Sequence, residues 1–339
     1  MADMTRRIIY SQETDPWYNL ALEEYLLNGV ANNEVILYLW QNVRTVVIGR
    51  NQNAWKECRY RRLEEEGGKL ARRLSGGGAV YHDLGNLNFT FIMKRELYNL
   101  EKQLKVILKA AKEMGIAARF SGRNDLVVDD GRKFSGNAFY LTGKGSYHHG
   151  TILVNSDFEK MLDYLQVSRE KIRSKGIESV RSRVINLKEL NQELTIDKMK
   201  EAMKASFIKV YVGGSGLREE ADVERINPVE MSEMEELYQK YSSWEWRFGQ
   251  TPEFDISFEK RFDWGGIEMC FNLKKGIIEE AVIYSDAMDS RLIQEMAVAL
   301  KGKSFQQDTL ILSLESLTVN EEGKRIIKDV VDWLKTRDI

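Results

Sequence analysis

The sequence predicts an α+β protein of two domains: a mixed or largely antiparallel sheet flanked by helices, then a smaller α+β domain. Three observations predict it. Short β-rich runs, EVILYLW (34–40), TVVIG (45–49), LNFTFIM (87–93), DLVV (125–128) and KFSGNAFY (133–140), are interspersed with segments of helical spacing. The length of 339 residues exceeds one ordinary core. The pattern also changes at SSWEWRFGQTP (242–252), from mostly helical to three short strands.

Along the chain, Asp15-Pro16 reads as an N-cap with proline at the first helical position, and WYNLALEEYLLNG carries the helix to Gly29. YNLEKQLKVILKAAKEMG has helical spacing and stops at Gly115. Beyond residue 155, SDFEKMLDYLQ, TIDKMKEAMKASFIKVYV and PVEMSEMEELYQKY read as helices. FDISFEKRF, GIEMCFNL and GIIEEAVIY then read as strands, and SRLIQEMAVALKG and GKRIIKDVVDWLKT as closing helices. The domains are set at 1–247 and 252–339.

Charge narrows the function classes. The 50 Lys and Arg nearly balance 52 Asp and Glu, so a net charge of -2 gives no electrostatic reason to expect nucleic acid or an anionic membrane. Cys58 and Cys270 form no CxxC, and the three histidines are not spaced for zinc. The N-terminus has two arginines but no apolar leader core, and no run approaches the length of a membrane span. The expectation is a soluble, unexported protein in a reducing cytoplasm.

The chemistry concentrates between residues 72 and 151. RRLSGGGAVYHD (72–83) places Ser75-Gly76-Gly77-Gly78 between a basic pair and an apolar run, so its backbone can approach a ligand and present N–H groups. It is neither a Walker A loop nor GxGxxG. Glycine content alone fits a tight turn or an anion site. Arg72 and Arg73 shift the balance to the anion, because guanidinium groups suit bidentate contacts to carboxylate or phosphate.

In SGRNDLVVDDGRKFSGNAFY, Asp129-Asp130-Gly131 fits a three-residue hairpin loop with a left-handed glycine. Val127 then faces Lys133, and Asp125 lies diagonally on the same face. A carboxylate beside a lysine is a workable arrangement for magnesium and phosphate, though a solvated ion pair fits the same spacing. His148 and His149, in SYHHGTILV, fit turn residues at a strand start and a functional role about equally, and His82 points to nothing more specific. Arg59, Arg61 and Arg62 read as a solvated helix face, with a basic patch for docking an acidic partner domain as the alternative.

Taken in order, GRNQNAWKEC, ARRLSGGGAVYHDLGNLNFTF, SGRNDLVV, RKFSGNAFY, HHGTILVN and KGIESVRSRVINL resemble the signature blocks of the bacterial lipoate-protein ligase A family. The resemblance implies a biotin/lipoate ligase-like catalytic domain with an accessory domain acting as a lid. It also implies a two-step ligase in which ATP and lipoate give lipoyl-AMP and pyrophosphate, with Mg2+, before the lipoyl group passes to an acceptor lysine. On this resemblance Lys133 is the catalytic residue, touching nucleotide and lipoyl carbonyl. Arg73, Gly78, Ala79, Val80 and Tyr81 contact ATP, with Arg72, Ser75, Gly77, Asn124 and His149 as further candidates and Asp125 as the magnesium ligand.

Implied partners are apo lipoyl acceptors, the glycine-cleavage H protein or 2-oxoacid dehydrogenase E2 lipoyl domains, approached by a monomer. Three other functions fit parts of the sequence. An acyltransferase with a cysteine thioester needs a thiolate, and Gly143–Thr151 contains no cysteine. A biotin-protein ligase would carry a different glycine motif. A silent lipoyl-binding module would not need both arginines, Lys133 and Asp125. Free lipoate, octanoate and lipoyl peptides all remain open as acyl donors.

Overall fold

The structure, a computed structural model, describes residues 4–122, 124–143, 145–166, 183–211, 222–224, 232–249 and 254–337. Residues 175–182 of the KGIESVRSRVINL block, 228–231 of the PVEMSEMEELYQKY helix and the 250–253 junction lie outside the described residues. Met1–Val47, Cys58–Ala71 and Val80–Arg247 form one unit, and Ile48–Glu57, Arg72–Ala79 and Phe248–Ile339 form the other.

In the first unit, among the described residues, eight strands form a mixed sheet in the order β11-β1-β2-β6-β10-β9-β8-β7. They are β1 (Thr5–Tyr10), β2 (Glu34–Trp40), β6 (Asn86–Met93), β7 (Ala118–Phe120), β8 (Asp125–Val128), β9 (Lys133–Leu141), β10 (Ser146–Leu153) and β11 (Asp222–Glu224). The β11–β1 and β1–β2 pairs are parallel, and the remaining pairs are antiparallel. A second sheet sets β3 (Thr45–Ile48) between β4 (Lys69–Arg72) and β5 (Val80–His82).

Side chains alternate across a strand, so β6 explains the layering. Leu87, Phe89, Phe91 and Met93 join Val35, Leu37 and Leu39 of β2 in one core with α4 (Leu100–Glu113) and α6 (Ile196–Tyr211). Burying each such side chain contributes about 1.5–3 kcal/mol, which holds both helices on this face. Asn99 starts α4 by accepting Lys102 N–H at 2.9 Å, and Gly115, at φ +75°, takes the left-handed turn that ends it.

The opposite face carries Asn86, Asn88 and Thr90 of β6, in register with Trp40 and Tyr38 of β2 and with Thr151 and His149 of β10. Helix α1 (Pro16–Gly29) lies on this side, where Tyr38 Oη donates to Asn19 Oδ1 at 3.0 Å. Asp15 caps α1 by accepting Trp17 N–H at 2.9 Å. Helix α7 (Ser232–Ser242) packs against α1, with Lys240 Nζ 2.7 Å from Glu24 Oε2.

The second unit holds an antiparallel meander of β12 (Ile256–Phe262), β13 (Gly265–Lys274) and β14 (Ile277–Ser285). Lys275 and Gly276, at φ +53° and +76°, make the two-residue turn between β13 and β14, with left-handed backbone at both positions. Helices α9 (Ser290–Leu300), α10 (Gln307–Glu315) and α11 (Glu321–Leu334) share one core with this sheet. Helix α10 has no counterpart in the sequence reading, since its LILSL run is too short for periodicity to separate helix from strand. Among the described residues, no helix is long and apolar enough to cross a membrane.

Candidate functional site

The Asp129-Asp130-Gly131 loop takes the geometry its sequence predicts. Gly131 stands at φ +87°, and its N–H donates to Val128 O at 2.9 Å. Val127 therefore faces Lys133 across the hairpin. A bulge next in the ladder pairs Leu126 with Ser135 and Asp125 with Gly136. An extra residue in one strand increases the local twist, and Lys133 Nζ reaches Asp125 Oδ1 at 2.7 Å with both side chains about one-third exposed (33% and 34%).

Gly136 leaves room for this arrangement. A Cβ there would stand 2.8 Å from Lys133 Nζ and 3.8 Å from Thr151 Oγ1, so the ammonium lies over bare backbone on the polar side of the sheet. The Gly136 N–H donates to Thr151 Oγ1 at 3.2 Å. Lys133 is held at its backbone too, donating to Arg183 O at 2.7 Å and accepting from Ile185 N–H at 2.9 Å. Asn124 precedes Asp125, and its carbonyl accepts the Asn137 N–H at 2.9 Å.

A polar stripe on β6 was not expected from the sequence; its Asn88 pairs with Thr151 of β10, whose Oγ1 accepts the Gly136 N–H. Asn86 Nδ2 donates to Asn88 Oδ1 at 2.8 Å, while Asn86 Oδ1 and Asn88 Nδ2 are buried without a hydrogen-bond partner among the described residues. A buried polar group left unsatisfied costs roughly 1–3 kcal/mol, so two on one strand are an unusual cost on the polar side of the sheet. The signal was available in Asn86-x-Asn88-x-Thr90, a polar stripe of period two inside a run read only as a strand.

His149 belongs to β10 and not to a turn, a correction shared with His148, because Tyr147 to Gly150 pair on both sides with β6 and β9. His149 Nδ1 lies 2.8 Å from Glu23 Oε1, which also accepts Thr90 Oγ1 at 2.7 Å. All three are buried, so His149 ties α1 to the sheet. His82 sits in β5 with Nδ1 3.1 Å from Asn42 Nδ2.

Within the second unit the glycine loop is held by its own arginine. Arg73 Nε donates to Ser75 Oγ at 3.0 Å, and Nη2 donates to Gly76 O and Gly78 O, each at 2.7 Å. Arg72 takes a different task, its Nη1 donating to Arg50 O at 3.0 Å and Gln52 O at 2.7 Å. Both side chains are buried. Burial, and then the neighbouring Arg50 charge, pulls the Arg72 guanidinium down to about 10, which still leaves it protonated at neutral pH.

Bare backbone is required in this loop. A Cβ on Gly49 would lie 2.2 Å from Gly77 O, and one on Gly76 would lie 2.3 Å from Ala287 O. Gly77 stands at φ +85° and donates its N–H to Ala287 O at 3.0 Å. Ser290 Oγ donates to Leu74 O at 3.3 Å. Gly78 is exposed, and Ala79 is half-buried. Val80 and Tyr81 belong to the first unit, where they pair with Val47 and Val46 of β3.

Among the described residues, no group of three or more His, Cys, Asp or Glu could hold a metal. Asp125 offers one carboxylate, which suits magnesium because that ion completes its shell with phosphate oxygens and water. Cys58 and Cys270 are both buried, and burial pushes each thiol up to about 12. Arg59 and Arg62 are used internally: Arg59 Nη1 donates to Leu162 O at 2.7 Å, and Arg62 Nη2 pairs with Asp163 at the same distance.

Comparison with known proteins matches residues 15–208 to the family of lipoyl protein ligase A/B catalytic domains and residues 251–334 to the bacterial lipoate protein ligase C-terminus. Among solved structures, P. falciparum LipL1 in complex with lipoate is 31% identical, with a TM-score of 0.84 over 98% of this chain and 100% of that one. A bipartite lipoate protein ligase from Thermoplasma acidophilum, solved with its E2 lipoyl domain, is 26% identical, with a TM-score of 0.62 over 75% and 100%. A lipoate-protein ligase A bound with ATP shares the fold, at 23% identity and a TM-score of 0.59 over 73% of this chain and 99% of its own.

Proposed function

Because the chain belongs to the lipoate-protein ligase family, we propose that it is an ATP-dependent ligase that converts lipoate to lipoyl-AMP and then acylates a lipoyl domain. One observation carries the reading: the Lys133–Asp125 pair at 2.7 Å, on the polar side of the sheet. The lipoate carboxylate attacks the ATP α-phosphate, and pyrophosphate leaves. The acceptor lysine amine then attacks the mixed-anhydride carbonyl, AMP leaves, and the amine gives up its proton.

Lys133 suits both steps. Its ammonium neutralises charge gathering on the α-phosphate and then polarises the acyl carbonyl. Asp125 holds that ammonium in place and supplies the magnesium carboxylate, with Asn124 beside it. Magnesium, when bound, draws negative charge from the phosphate oxygens. Arg73, Ser75, Gly77, Gly78 and Ala79 are assigned to the nucleotide, as are Val80 and Tyr81. Arg72 keeps the adjoining 49–52 turn in place, and His149 anchors α1.

Residues 1–247 are assigned to the catalytic domain and 252–339 to the accessory domain. The acceptors are E2 lipoyl domains, in keeping with the Thermoplasma relative, and the glycine-cleavage H protein. The enzyme works as a cytoplasmic monomer. The reading through a cysteine thioester has less support, since thiols held at about 12 supply little thiolate. The test is a reaction with ATP, magnesium and lipoate, following pyrophosphate and lipoyl-AMP before apo-acceptors are added singly. No lipoate-dependent pyrophosphate would remove the proposal.

A further inference from the structure

Beneath the sheet, on the face covered by α4, runs a buried polar chain that the proposed chemistry does not use. The Asn124 carbonyl accepts two hydrogen bonds from Asn137, from the backbone N–H at 2.9 Å and from Nδ2 at 2.8 Å. Asp125 O in turn accepts the Ser121 N–H at 2.9 Å. The two carbonyls that flank the Asp125 Cα are thus each held by a hydrogen bond.

Asn137 is itself oriented. Its Oδ1 lies 2.8 Å from His148 Nε2, and His148 Nδ1 lies 3.0 Å from Gln103 Oε1 on α4. An amide whose Nδ2 donates to Asn124 must accept at Oδ1, so His148 carries its proton on Nε2. Nδ1 then accepts from the Gln103 carboxamide, which a half-turn presents through its nitrogen. His148 and Gln103 are fully buried. In hydrocarbon surroundings a polar chain of this length persists only when each member satisfies the next.

We propose that Gln103, His148 and Asn137 are positioning residues for the proposed adenylation, acting through the Asn124 carbonyl to aim Asp125 at Lys133. The inference rests on the reading of Lys133 and Asp125 as the reacting pair. With the chain broken, Asp125 swings on a loosened turn, and Lys133 loses the partner that stands 2.7 Å away.

The experiment is a double-mutant cycle between Asn137→Ala and Asp125→Asn, with two readouts and thermal melting as a control. The first readout is acetylation of Lys133 by an N-hydroxysuccinimide ester, followed by mass spectrometry without substrate. The second is kcat and KM for lipoate-dependent pyrophosphate release. Asn137→Ala raises Lys133 labelling severalfold and lowers kcat about tenfold, the scale of one buried hydrogen bond, with KM for lipoate unchanged. The double variant matches Asp125→Asn within about twofold, because both act through one carboxylate. His148→Gln serves in the same cycle should Asn137→Ala fail to fold. Wild-type labelling in the folded variant, or effects that simply add, would overturn the proposal. Failure of wild-type pyrophosphate release would remove the ligase reading while the labelling cycle still decides the positioning role.

Discussion

Gly136 and Lys133 are in close approach: the Lys133 ammonium lies 2.8 Å from where a Cβ on Gly136 would stand, nearer than a Cβ tolerates. The absent side chain is what lets the lysine fold back onto its own strand and reach Asp125. Gly136→Ala should displace the ammonium and lower lipoate-dependent pyrophosphate release about tenfold or more, with a small change in melting temperature. A variant with wild-type turnover would show that Lys133 does not work from this position.

Lys133→Ala should abolish lipoyl-AMP formation and leave the fold intact, since the side chain is one-third exposed and fills no core. Lys133→Arg should also fail, because a planar fork cannot replace a compact ammonium over a glycine. Single-turnover formation of lipoyl-AMP together with circular dichroism checks both, and pyrophosphate release from the alanine variant at the wild-type rate would exclude the role.

Gly76→Ala places a methyl 2.3 Å from Ala287 O and 2.4 Å from Met288 O, both backbone atoms that cannot swing aside. The expected cost is about 1–3 kcal/mol of stability, read by denaturant titration, with loss of adenylation as the loop shifts. Gly78→Ala, where no atom lies within 4 Å of the added Cβ, is the control and should stay within about 0.5 kcal/mol of wild type.

Stability should fall in mild acid through His148. Burial, and then the nearby His149 charge, holds its imidazole down to about 3 from an ordinary 6.5. A base whose folded value is depressed stays neutral in the native protein while the unfolded chain takes up a proton. Its contribution is therefore complete above pH 6.5 and is lost as pH falls toward 3, with a slope of up to about 1.4 kcal/mol per pH unit. Urea titrations between pH 7 and pH 4 measure that slope, and it should shrink in His148→Gln.

Cys58→Ala should keep the rate of acceptor lipoylation within about twofold of wild type, because a thiol pushed up to about 12 offers little nucleophile at neutral pH. Loss of transfer with folding intact would favour a thioester route instead.

Local features are legible in the sequence. Asp15 before Pro16, the left-handed Gly131 and the Val127–Lys133 register follow from caps and turn geometry acting over a few residues. The glycine loop was legible as a close approach of backbone, and the family blocks named its chemistry. Helix α10 was not, since an apolar run of that length carries no distinguishing period, and neither was the pairing of His148 and His149 on both sides, which distant strands supply.

The sequence by itself determined where the chain turns, which residues alternate and which blocks mark the family. The tertiary structure decided which distant groups meet. Glu23 and His149 lie 126 residues apart and stand at 2.8 Å. Adjacent Arg72 and Arg73 hold different backbone segments, and the turn at Ala287 packs against Gly76. The physical reason is that periodicity and propensity report a residue's own face and local backbone. The partner across the sheet or loop is set by topology, where burial forces each polar group to find whatever the fold has brought beside it.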